Sequence, residues 1–256
     1  MLYTLKKSLG QHFLHDENMC IKIVEQLEKY AGMQLLEVGP GGGALTKYLL
    51  QLNDIHYLAI EIDTEKVTYL QKTYPVLKGK IIEQDILKAA IPFENDFSII
   101  GNFPYNISSS ILFKILEWEP QVQEVIGMFQ KEVALRIASG PGSKVYGILS
   151  VLTQAFFKVE YLFEVHEKCF TPPPKVKSAV LKLSNMHNPF DIKDKRKFIN
   201  LVKTAFNQRR KTLRNALKGL LPPQMLAYTI MDKRAEQLSV TDFVALYVAL
   251  YKEYQT

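Results

Sequence analysis

The residues best suited to chemistry are the four consecutive residues Asn102, Phe103, Pro104 and Tyr105. They follow an apolar run that is typical of a buried strand. An amide oxygen, a backbone carbonyl beside a proline and an aromatic ring together suit a flat heterocycle that carries an amino group. A tight turn in which Asn102 caps the next helix is the alternative.

A second candidate site is the glycine-rich segment 39–43, which also follows an apolar run. Glycines lack the Cβ atom that would keep a nucleotide-like ligand away from the backbone. Gly39, Gly41 and Ala44 satisfy the dinucleotide-binding fingerprint. Glu61, which lies 22 positions after Gly39, could bind a ribose hydroxyl. A glycine turn that only packs a helix onto a sheet is the competing interpretation.

Polar side chains at two further strand ends favour a ligand over a simple turn. Asp85 follows the third strand-like run, and Asn102 follows the fourth. A carboxylate after a strand can accept a hydrogen bond from an exocyclic amino group such as adenine N6. Both positions therefore point to a ligand that contains an aminated heterocycle.

These residues need a scaffold that brings strand ends together, and the order of elements predicts one. Strand-like runs alternate with helix-like runs; the strands are expected at 34–38, 55–60, 80–84, 97–100 and 125–129, and the helices at 44–52, 64–72 and 108–117. This alternation predicts an α/β fold of the Rossmann-like type, with a doubly wound, mainly parallel sheet. Such sheets bind ligands beyond the carboxyl ends of their strands, which is where the candidate residues lie.

Length and composition limit the protein class. The 256 residues are 47% hydrophobic and 23% charged, which is typical of a folded globular chain with one large and one small domain. No apolar run is long enough to span a membrane, and the first residues do not resemble a secretion signal, so we expect a cytoplasmic protein without membrane contact. The two cysteines, Cys20 and Cys169, are far apart, so we expect neither a disulfide framework nor a metal site.

The positive charge is concentrated near the C-terminus. Residues 190–256 contain 13 Lys and Arg against 6 Asp and Glu, whereas residues 1–189 have a net charge of −1, which together give the overall +6. The polar, proline-containing segment 185–189 reads as a linker. We therefore expect a domain at 1–187 that binds the small-molecule ligands and a basic helical domain at 188–256 that binds RNA.

The predicted RNA-binding residues are basic side chains between positions 203 and 218. Their spacing of seven and four residues would place Lys203, Arg210, Arg214 and Lys218 on one face of a helix that also buries Phe198 to Leu217. Arg209 and Lys211 lie beside this face. A solvated helix surface is the alternative.

Eight segments in one order resemble the S-adenosylmethionine-dependent ribosomal RNA adenine N6-methyltransferases, and within them the small-subunit rRNA adenine dimethyltransferase family, over essentially the whole chain. The matching segments are 7–14, 37–41, 61–63, 84–85, 101–108, 130–133, 170–176 and 206–215. The chain departs from the family pattern at His12, where many relatives have Asn, at Gly42, where a larger apolar residue is usual, and at Phe103, where Leu is usual.

The resemblance implies a cofactor and a set of site residues. S-adenosylmethionine would be held by residues of the N-terminal segment and of the strand ends, namely His12, Leu14, Gly39, Glu61, Asp85 and Asn102. The Asn102 side-chain oxygen and the Phe103 carbonyl, which is held by Pro104, would accept the two hydrogens of the adenine amino group. Tyr105 and Phe170 would stack on the two faces of the flipped base. For Phe170, an apolar anchor of the proline-rich loop is the alternative.

The resemblance also implies a reaction and a partner. The expected reaction is N6,N6-dimethylation of two adjacent adenosines near the 3′ end of small-subunit (16S) ribosomal RNA, by a monomeric enzyme that acts on a 30S-type pre-ribosomal particle during ribosome biogenesis. Three alternatives stay open: a large-subunit methyltransferase of the macrolide-resistance type, a noncatalytic ribosome-assembly or nucleic-acid-binding factor, and a nicotinamide-dependent dehydrogenase. The last leaves the 102–105 segment and the basic region unexplained.

Overall fold

The computed structural model describes residues 12–252, with side chains described up to residue 250. The first five residues of the predicted motif 7–14 lie outside this range. Two compact units are present: one contains the described residues up to 134 together with 158–185, and the other contains 135–157 together with the described residues from 186 onward.

The first unit is built on a seven-stranded sheet with strand order β4-β3-β2-β5-β6-β9-β7, and a separate pair is formed by β1 and β8. The strands are β1 Phe13–Leu14, β2 Met33–Val38, β3 Ile55–Glu61, β4 Ile81–Glu83, β5 Phe97–Asn102, β6 Val122–Gln130, β7 Phe157–Val165, β8 Phe170–Thr171 and β9 Ser178–Asn185. The pairs from β4 through β6 are parallel, and β9 runs antiparallel to β6. The predicted mainly parallel sheet is therefore confirmed.

The helices follow the strands as the alternation predicted. They are α1 Glu17–Val24, α2 Thr46–Leu49, α3 Thr64–Thr73, α4 Ser108–Trp118, α5 Lys131–Ala138, α6 Ile148–Gln154, α7 Lys195–Asn207, α8 Leu213–Ala216, α9 Pro223–Leu226 and α10 Val240–Lys252. Helix α3 begins where the Asp63 side chain accepts a hydrogen bond from the Glu65 amide at 3.2 Å. Among the described residues, no helix is both long and apolar enough to cross a bilayer.

The direction in which the chain adds strands to the sheet reverses between β2 and β5. From β2 the chain moves outward through β3 and β4 to one edge, and then returns to place β5 on the other side of β2. Loops that leave the carboxyl ends of β2 and β5 therefore diverge and leave a crevice between them. Both strands are buried, with Leu35, Leu36, Ile99 and Ile100 fully enclosed, so the crevice has a rigid floor.

A short antiparallel pairing ties the N-terminal segment to the proline-rich loop. Phe13 lies opposite Thr171, and Leu14 lies opposite Phe170. The side chains of Leu14 and Phe170 are both 1% exposed and belong to the core cluster of this unit. This pairing fixes the start of the described chain beside the sheet.

The second unit contains a segment that the sequence prediction had placed in the first domain. Residues 135–157 pack with the C-terminal helices, because the ring of Phe156 lies edge-on to Phe198 of α7 at 6.3 Å, and Phe198 in turn contacts Tyr247 of α10 at 5.7 Å. The single boundary at residue 187 is therefore wrong as a description of the compact units. The chain crosses between the units more than once, which a linker-like composition at one place does not reveal.

The predicted continuous helix face from Phe198 to Leu217 is also wrong. Helix α7 ends at Asn207, and a turn closed by a 2.7 Å hydrogen bond from the Lys211 amide to the Gln208 carbonyl separates it from α8. Apolar residues still recur at helical spacing before and after the turn, because α7 and α8 each bury one face. Lys203, Arg210, Arg214 and Lys218 consequently do not share a helix face.

Candidate functional site

The candidate site is a cavity of about 230 Å³ at the carboxyl ends of β2 and β5. Nine of the predicted site residues line it: His12, Leu14, Gly39, Glu61, Asp85, Asn102, Phe103, Pro104 and Tyr105. Residues that are far apart in sequence are thus brought to one edge of the sheet. The structure places Phe170 elsewhere, and the basic residues lie in the second unit.

The glycine segment forms one wall and adopts backbone angles that other residues avoid. Gly39 and Gly41 have φ angles of +68° and +58°. The Gly39 amide donates to the Ile60 carbonyl at 2.9 Å, which holds the turn against β3. A Cβ atom on Gly39 would lie 3.9 Å from Cδ of Pro104, so the glycine turn and the 102–105 segment face each other across the crevice.

Glu61 is fixed by the backbone around it. Its Oε2 accepts a hydrogen bond from the Gly41 amide at 3.0 Å, and its Oε1 accepts from the amides of Ile62 and Asp63 at 2.9 and 3.0 Å. The side chain is 5% exposed. These bonds use both lone pairs of Oε1 and one of Oε2, so Oε2 keeps acceptor capacity and a preoriented acceptor for a hydroxyl group lines the cavity.

Asp85 is likewise oriented by a local bond. Its Oδ1 accepts from the Leu87 amide at 3.0 Å and thereby caps the short helix Ile86–Lys88. The residue is half-buried, and its carboxylate lines the same cavity as Glu61. The two carboxylates come from the ends of neighbouring strands, β3 and β4.

The 102–105 segment forms the opposite wall. The side-chain nitrogen Nδ2 of Asn102 donates to the His12 carbonyl at 3.4 Å, which is a long hydrogen bond. This bond assigns which end of the side-chain amide is nitrogen, so the side-chain oxygen Oδ1 points away from His12. The Phe103 amide donates to the Met128 carbonyl at 3.2 Å, while its side chain is completely buried. The segment is thus held by a side-chain bond at Asn102 and by a backbone bond at Phe103.

Tyr105 offers a half-buried ring that is neutral at ordinary pH. Burial raises the pKa of Tyr105, although its hydrogen bond with the Ser178 hydroxyl lowers it. The His12 ring is stacked on Tyr105 with a centroid distance of 5.6 Å and an interplanar angle of 29°. The Nδ1 atom of His12 donates to the Pro172 carbonyl at 2.8 Å. His12 therefore links the N-terminal segment, Tyr105 and the proline-rich loop.

Phe170 does not share this arrangement. Its side chain is 1% exposed and packs in the core with Leu14, Val165 and Val180. A ring enclosed in this way presents no face to a base, so the predicted stacking role is contradicted. The alternative, an apolar anchor for the proline-rich loop, agrees with its position opposite Leu14.

A buried carboxyl group that the sequence analysis did not single out lies below the glycine turn. Glu37 is 1% exposed, and its Oε2 accepts hydrogen bonds from the Tyr57 hydroxyl at 2.5 Å and from the Thr46 hydroxyl at 2.8 Å. Burial raises the pKa of Glu37 to about 7, although these two bonds lower it; the nearby Glu61 raises it further. The signal in the sequence was a single acidic residue within a largely apolar strand.

Comparison with known proteins identifies the family. A family model described as ribosomal RNA adenine dimethylase matches residues 3–252. The chain belongs to this family. It is 54% identical over 245 residues to the ribosomal RNA small subunit methyltransferase A of Flavobacterium johnsoniae, with 94% of each chain covered. It is 51% identical over 245 residues to the protein of the same name from Cytophaga hutchinsonii, with 94% of this chain and 95% of the relative covered.

Solved structures agree with this assignment. A dimethyladenosine transferase from Plasmodium falciparum superposes with a TM-score of 0.80 at 25% identity, covering 95% of this chain and 98% of that one. The 23S rRNA methyltransferase ErmE shares the fold, with a TM-score of 0.67 at 24% identity over 93% of this chain and 99% of that one. The chain is therefore a ribosomal RNA adenine dimethyltransferase that uses S-adenosylmethionine, as the sequence resemblance implied, and the dehydrogenase interpretation is wrong.

The cavity of this methyltransferase fits its cofactor. A nucleoside with a charged methionine tail needs hydrogen-bond acceptors for its ribose hydroxyls and amino groups, and the two fixed carboxylates Glu61 and Asp85 supply them. It also needs close approach to backbone, and the turn has no side chain at Gly39 and Gly41. In the described part of the chain, no cluster of three His, Cys, Asp or Glu residues could hold a metal ion.

Two of the predicted RNA-binding arginines are engaged within the second unit. The Arg209 guanidinium pairs with Glu236 at 2.6 Å and donates to the Lys144 carbonyl at 2.6 Å. Arg214 pairs with Asp232 at 2.6 Å and also donates to the Leu226 carbonyl. These contacts stabilise the unit and reduce the charge that either side chain can offer to a phosphate.

The remaining basic residues of this group are differently placed. Lys203 is exposed on α7, Arg210 and Lys211 are exposed in the turn after it, and Lys218 is exposed after α8. The turn therefore presents two adjacent cationic side chains, Arg210 and Lys211, to solvent.

The buried carboxyl of Glu37 predicts a pH dependence of stability. Its native pKa of about 7 lies above its ordinary value of 4.5, so between these values the folded protein binds more protons than the unfolded chain. Stability must therefore fall as pH rises through this interval, by up to about 3 kcal/mol from this group alone. Glu37→Gln keeps an acceptor for Tyr57 and Thr46 but cannot ionise, so the variant should lose less stability between pH 5 and pH 8.

The measurement is urea unfolding at several pH values for the wild type and two variants. Glu25→Gln, at an exposed position, should behave like the wild type. An unchanged pH dependence in Glu37→Gln would show that Glu37 does not titrate in this range.

Proposed function

We propose that this enzyme dimethylates N6 of two adjacent adenosines near the 3′ end of small-subunit (16S) ribosomal RNA. Relatives that are 51% and 54% identical over nearly their whole length carry the name small subunit methyltransferase A. The observation that carries the chemistry is that Asn102 and Phe103, at the carboxyl end of β5, both line the cavity, where the Asn102 side-chain oxygen and the Phe103 carbonyl would be a pair of neutral acceptors.

We assign the cofactor contacts to residues around the crevice. Glu61 would bind the ribose hydroxyls, because its carboxylate is already oriented by three backbone amides. Asp85 would accept from the adenine amino group of the cofactor, while Gly39 lets the backbone approach it closely. Leu14 and the backbone of His12 would close the cavity from the N-terminal segment.

The difficulty of the reaction lies in the nucleophile. The lone pair of the adenine amino nitrogen is delocalised into the purine ring, so the nitrogen attacks poorly. If the Asn102 side-chain oxygen and the Phe103 carbonyl accept hydrogen bonds from its two N–H groups, the nitrogen moves toward tetrahedral geometry and its lone pair is directed to one side. S-adenosylmethionine supplies an electrophilic methyl group on a sulfonium. Forming the nitrogen–methyl bond would break the sulfur–methyl bond and leave a neutral thioether, and the methylated amine would then release its proton to water. Neither acceptor has to ionise, so no strong base is required.

Tyr105 would hold the target base by stacking. Its neutral ring can contribute roughly 1–3 kcal/mol per base, which offsets part of the cost of flipping the adenosine out of its stack. His12 covers one face of this ring, so the base would use the other face. After the first methyl group is added, one N–H remains for a second cycle.

We infer that the basic part of the second unit, within residues 188–256, binds rRNA through phosphate contacts. Arg210, Lys211 and Lys218 would make these contacts, together with Lys203 on α7, since all four are exposed. Contacts to phosphate give affinity and register, while the adenine cavity chooses the base. The partner would be a 30S-type pre-ribosomal particle, bound by a monomeric enzyme in the cytoplasm.

The substrate proposal is tested by methyl transfer from radiolabelled S-adenosylmethionine to purified ribosomal particles. Small subunits that lack the modification should accept label, and mapping should find it at N6 of two adjacent adenosines near the 3′ end. Large subunits and fully modified small subunits are the matched controls and should accept none. Label on large-subunit RNA alone would contradict the small-subunit assignment.

The RNA-binding proposal predicts which basic side chains determine how strongly RNA affinity depends on salt. Each phosphate contact contributes a slope of about −0.7 to −0.9 in log K against log salt, so the double substitution Arg210→Ala and Lys211→Ala should make the slope shallower by about 1.4 to 1.8. Arg214→Ala should lower stability but leave most of the slope, since its guanidinium is held by Asp232 and Leu226. RNA-binding titrations from low to moderate salt measure this. Equal slopes for the double variant and the wild type would remove the turn from the interface.

A further inference from the structure

The ring of Phe103 occupies a niche that exists only because two facing residues have no side chain. Gly101 on β5 and Gly127 on β6 lie opposite each other in the parallel register. The Phe103 side chain is completely buried, and atoms of its ring lie directly over both glycines. Neither glycine has a positive φ angle, so the requirement is for space rather than for an unusual backbone conformation.

Gly127 is the better position for a test, because the nearest atoms that a side chain there would meet belong to two aromatic rings. A Cβ atom at Gly127 would lie 2.7 Å from Cε2 of Phe103 and 2.7 Å from Cε2 of Phe129. Contacts this short do not persist, so one ring or both would have to move. A Cβ atom at Gly101 would also meet the Val38 backbone carbonyl at 2.6 Å, which mixes a backbone clash with the ring contact.

The position of the Phe103 ring is coupled to that of its backbone. The Phe103 amide donates to the Met128 carbonyl at 3.2 Å, one residue after Gly127. The ring packs edge-on against Phe129 with a centroid distance of 5.1 Å and an angle of 78°. Three successive residues of β6 thus determine where Phe103 sits. Displacing the ring must shift or rotate the peptide that carries the Phe103 carbonyl.

We propose that Gly127 is a positioning residue for methyl transfer: its missing side chain sets the depth of the Phe103 ring and so aims the Phe103 carbonyl at the target amino group. The inference rests on the proposed role of that carbonyl as an acceptor. The large Phe103 ring needs the space above Gly127, which a side chain at that position would fill. Gly127 lies outside every motif that identified the family.

The test is the coupling between positions 127 and 103. It is measured with the full-length enzyme by steady-state methyl transfer, which gives kcat and KM, and by single-turnover transfer, which isolates the chemical step. Gly127→Ala should lower kcat roughly 100-fold, the size of effect that a misplacement of about 1 Å can produce. KM for RNA and Kd for S-adenosylmethionine should change little, because the ligand contacts themselves are untouched. Adding Phe103→Leu to Gly127→Ala should restore most of the lost kcat, since the smaller side chain vacates the space that the new methyl group needs.

Two further variants separate positioning from general damage. Phe129→Leu combined with Gly127→Ala relieves the contact with Phe129 but leaves the contact with Phe103, so it should recover stability without recovering kcat. Gly140→Ala, at a glycine with open space around it and no positive φ angle, is the control for an added methyl group and should match the wild type.

Opposite outcomes would overturn the proposal. If Gly127→Ala folds and keeps the wild-type kcat, the residue has no positioning role. If Gly127→Ala does not fold, Phe103→Leu is compared with the double variant Phe103→Leu, Gly127→Ala. The added alanine should then leave kcat unchanged or raise it. A roughly 100-fold loss of kcat on adding the alanine would contradict the coupling. If the wild type modifies a different rRNA, the substrate proposal fails, but the coupling is still measured on that RNA.

Discussion

The site depends on the adjacency of β2 and β5, two buried parallel strands from which the chain departs in opposite directions. Their carboxyl ends cannot both be covered by the loops that follow them, so a crevice stays open between the glycine turn and the Asn102 segment. The strands lie so close that a Cβ atom at Gly101 would meet the Val38 carbonyl at 2.6 Å. The distance between the glycine turn and the Asn102 segment is therefore set by the sheet rather than by flexible loops.

The two walls differ in electrostatic character, and this difference suits the two ligands in the proposed roles of their residues. On the cofactor side, Glu61 and Asp85 are carboxylates that local backbone amides orient before any ligand arrives. On the nucleophile side, Asn102 and Phe103 offer neutral acceptors, and Tyr105 offers a neutral ring whose pKa is raised by burial. Neutral acceptors can polarise an amine without competing for its proton, and fixed dipoles do not have to reorganise during the transfer.

The sequence predicted the sheet and the crevice residues well, because apolar runs define buried strands and polar residues at their ends meet at one edge. It failed where the outcome depends on contacts between distant segments. Phe170 follows a motif that suggests stacking, yet its pairing with Leu14 places it in the core. The regular spacing of Lys203, Arg210 and Arg214 was real, but the turn after Asn207 breaks the helix that would have aligned them. The contact of Gly127 with Phe103 crosses between strands and leaves no local signal.

The acceptor pair at the end of β5 is tested most directly by Asn102→Ala, with Asn95→Ala at the exposed, opposite end of that strand as the control. Single-turnover methyl transfer would be measured together with the Kd values for S-adenosylmethionine and for RNA. We expect transfer by Asn102→Ala at saturating S-adenosylmethionine to fall roughly 10²–10³-fold, as when one preorganised hydrogen-bonding group is removed from an active site, while the Kd for RNA stays within a few-fold of the wild type. Transfer at the wild-type rate with unchanged Kd values would contradict the role of the Asn102 oxygen in presenting the amine.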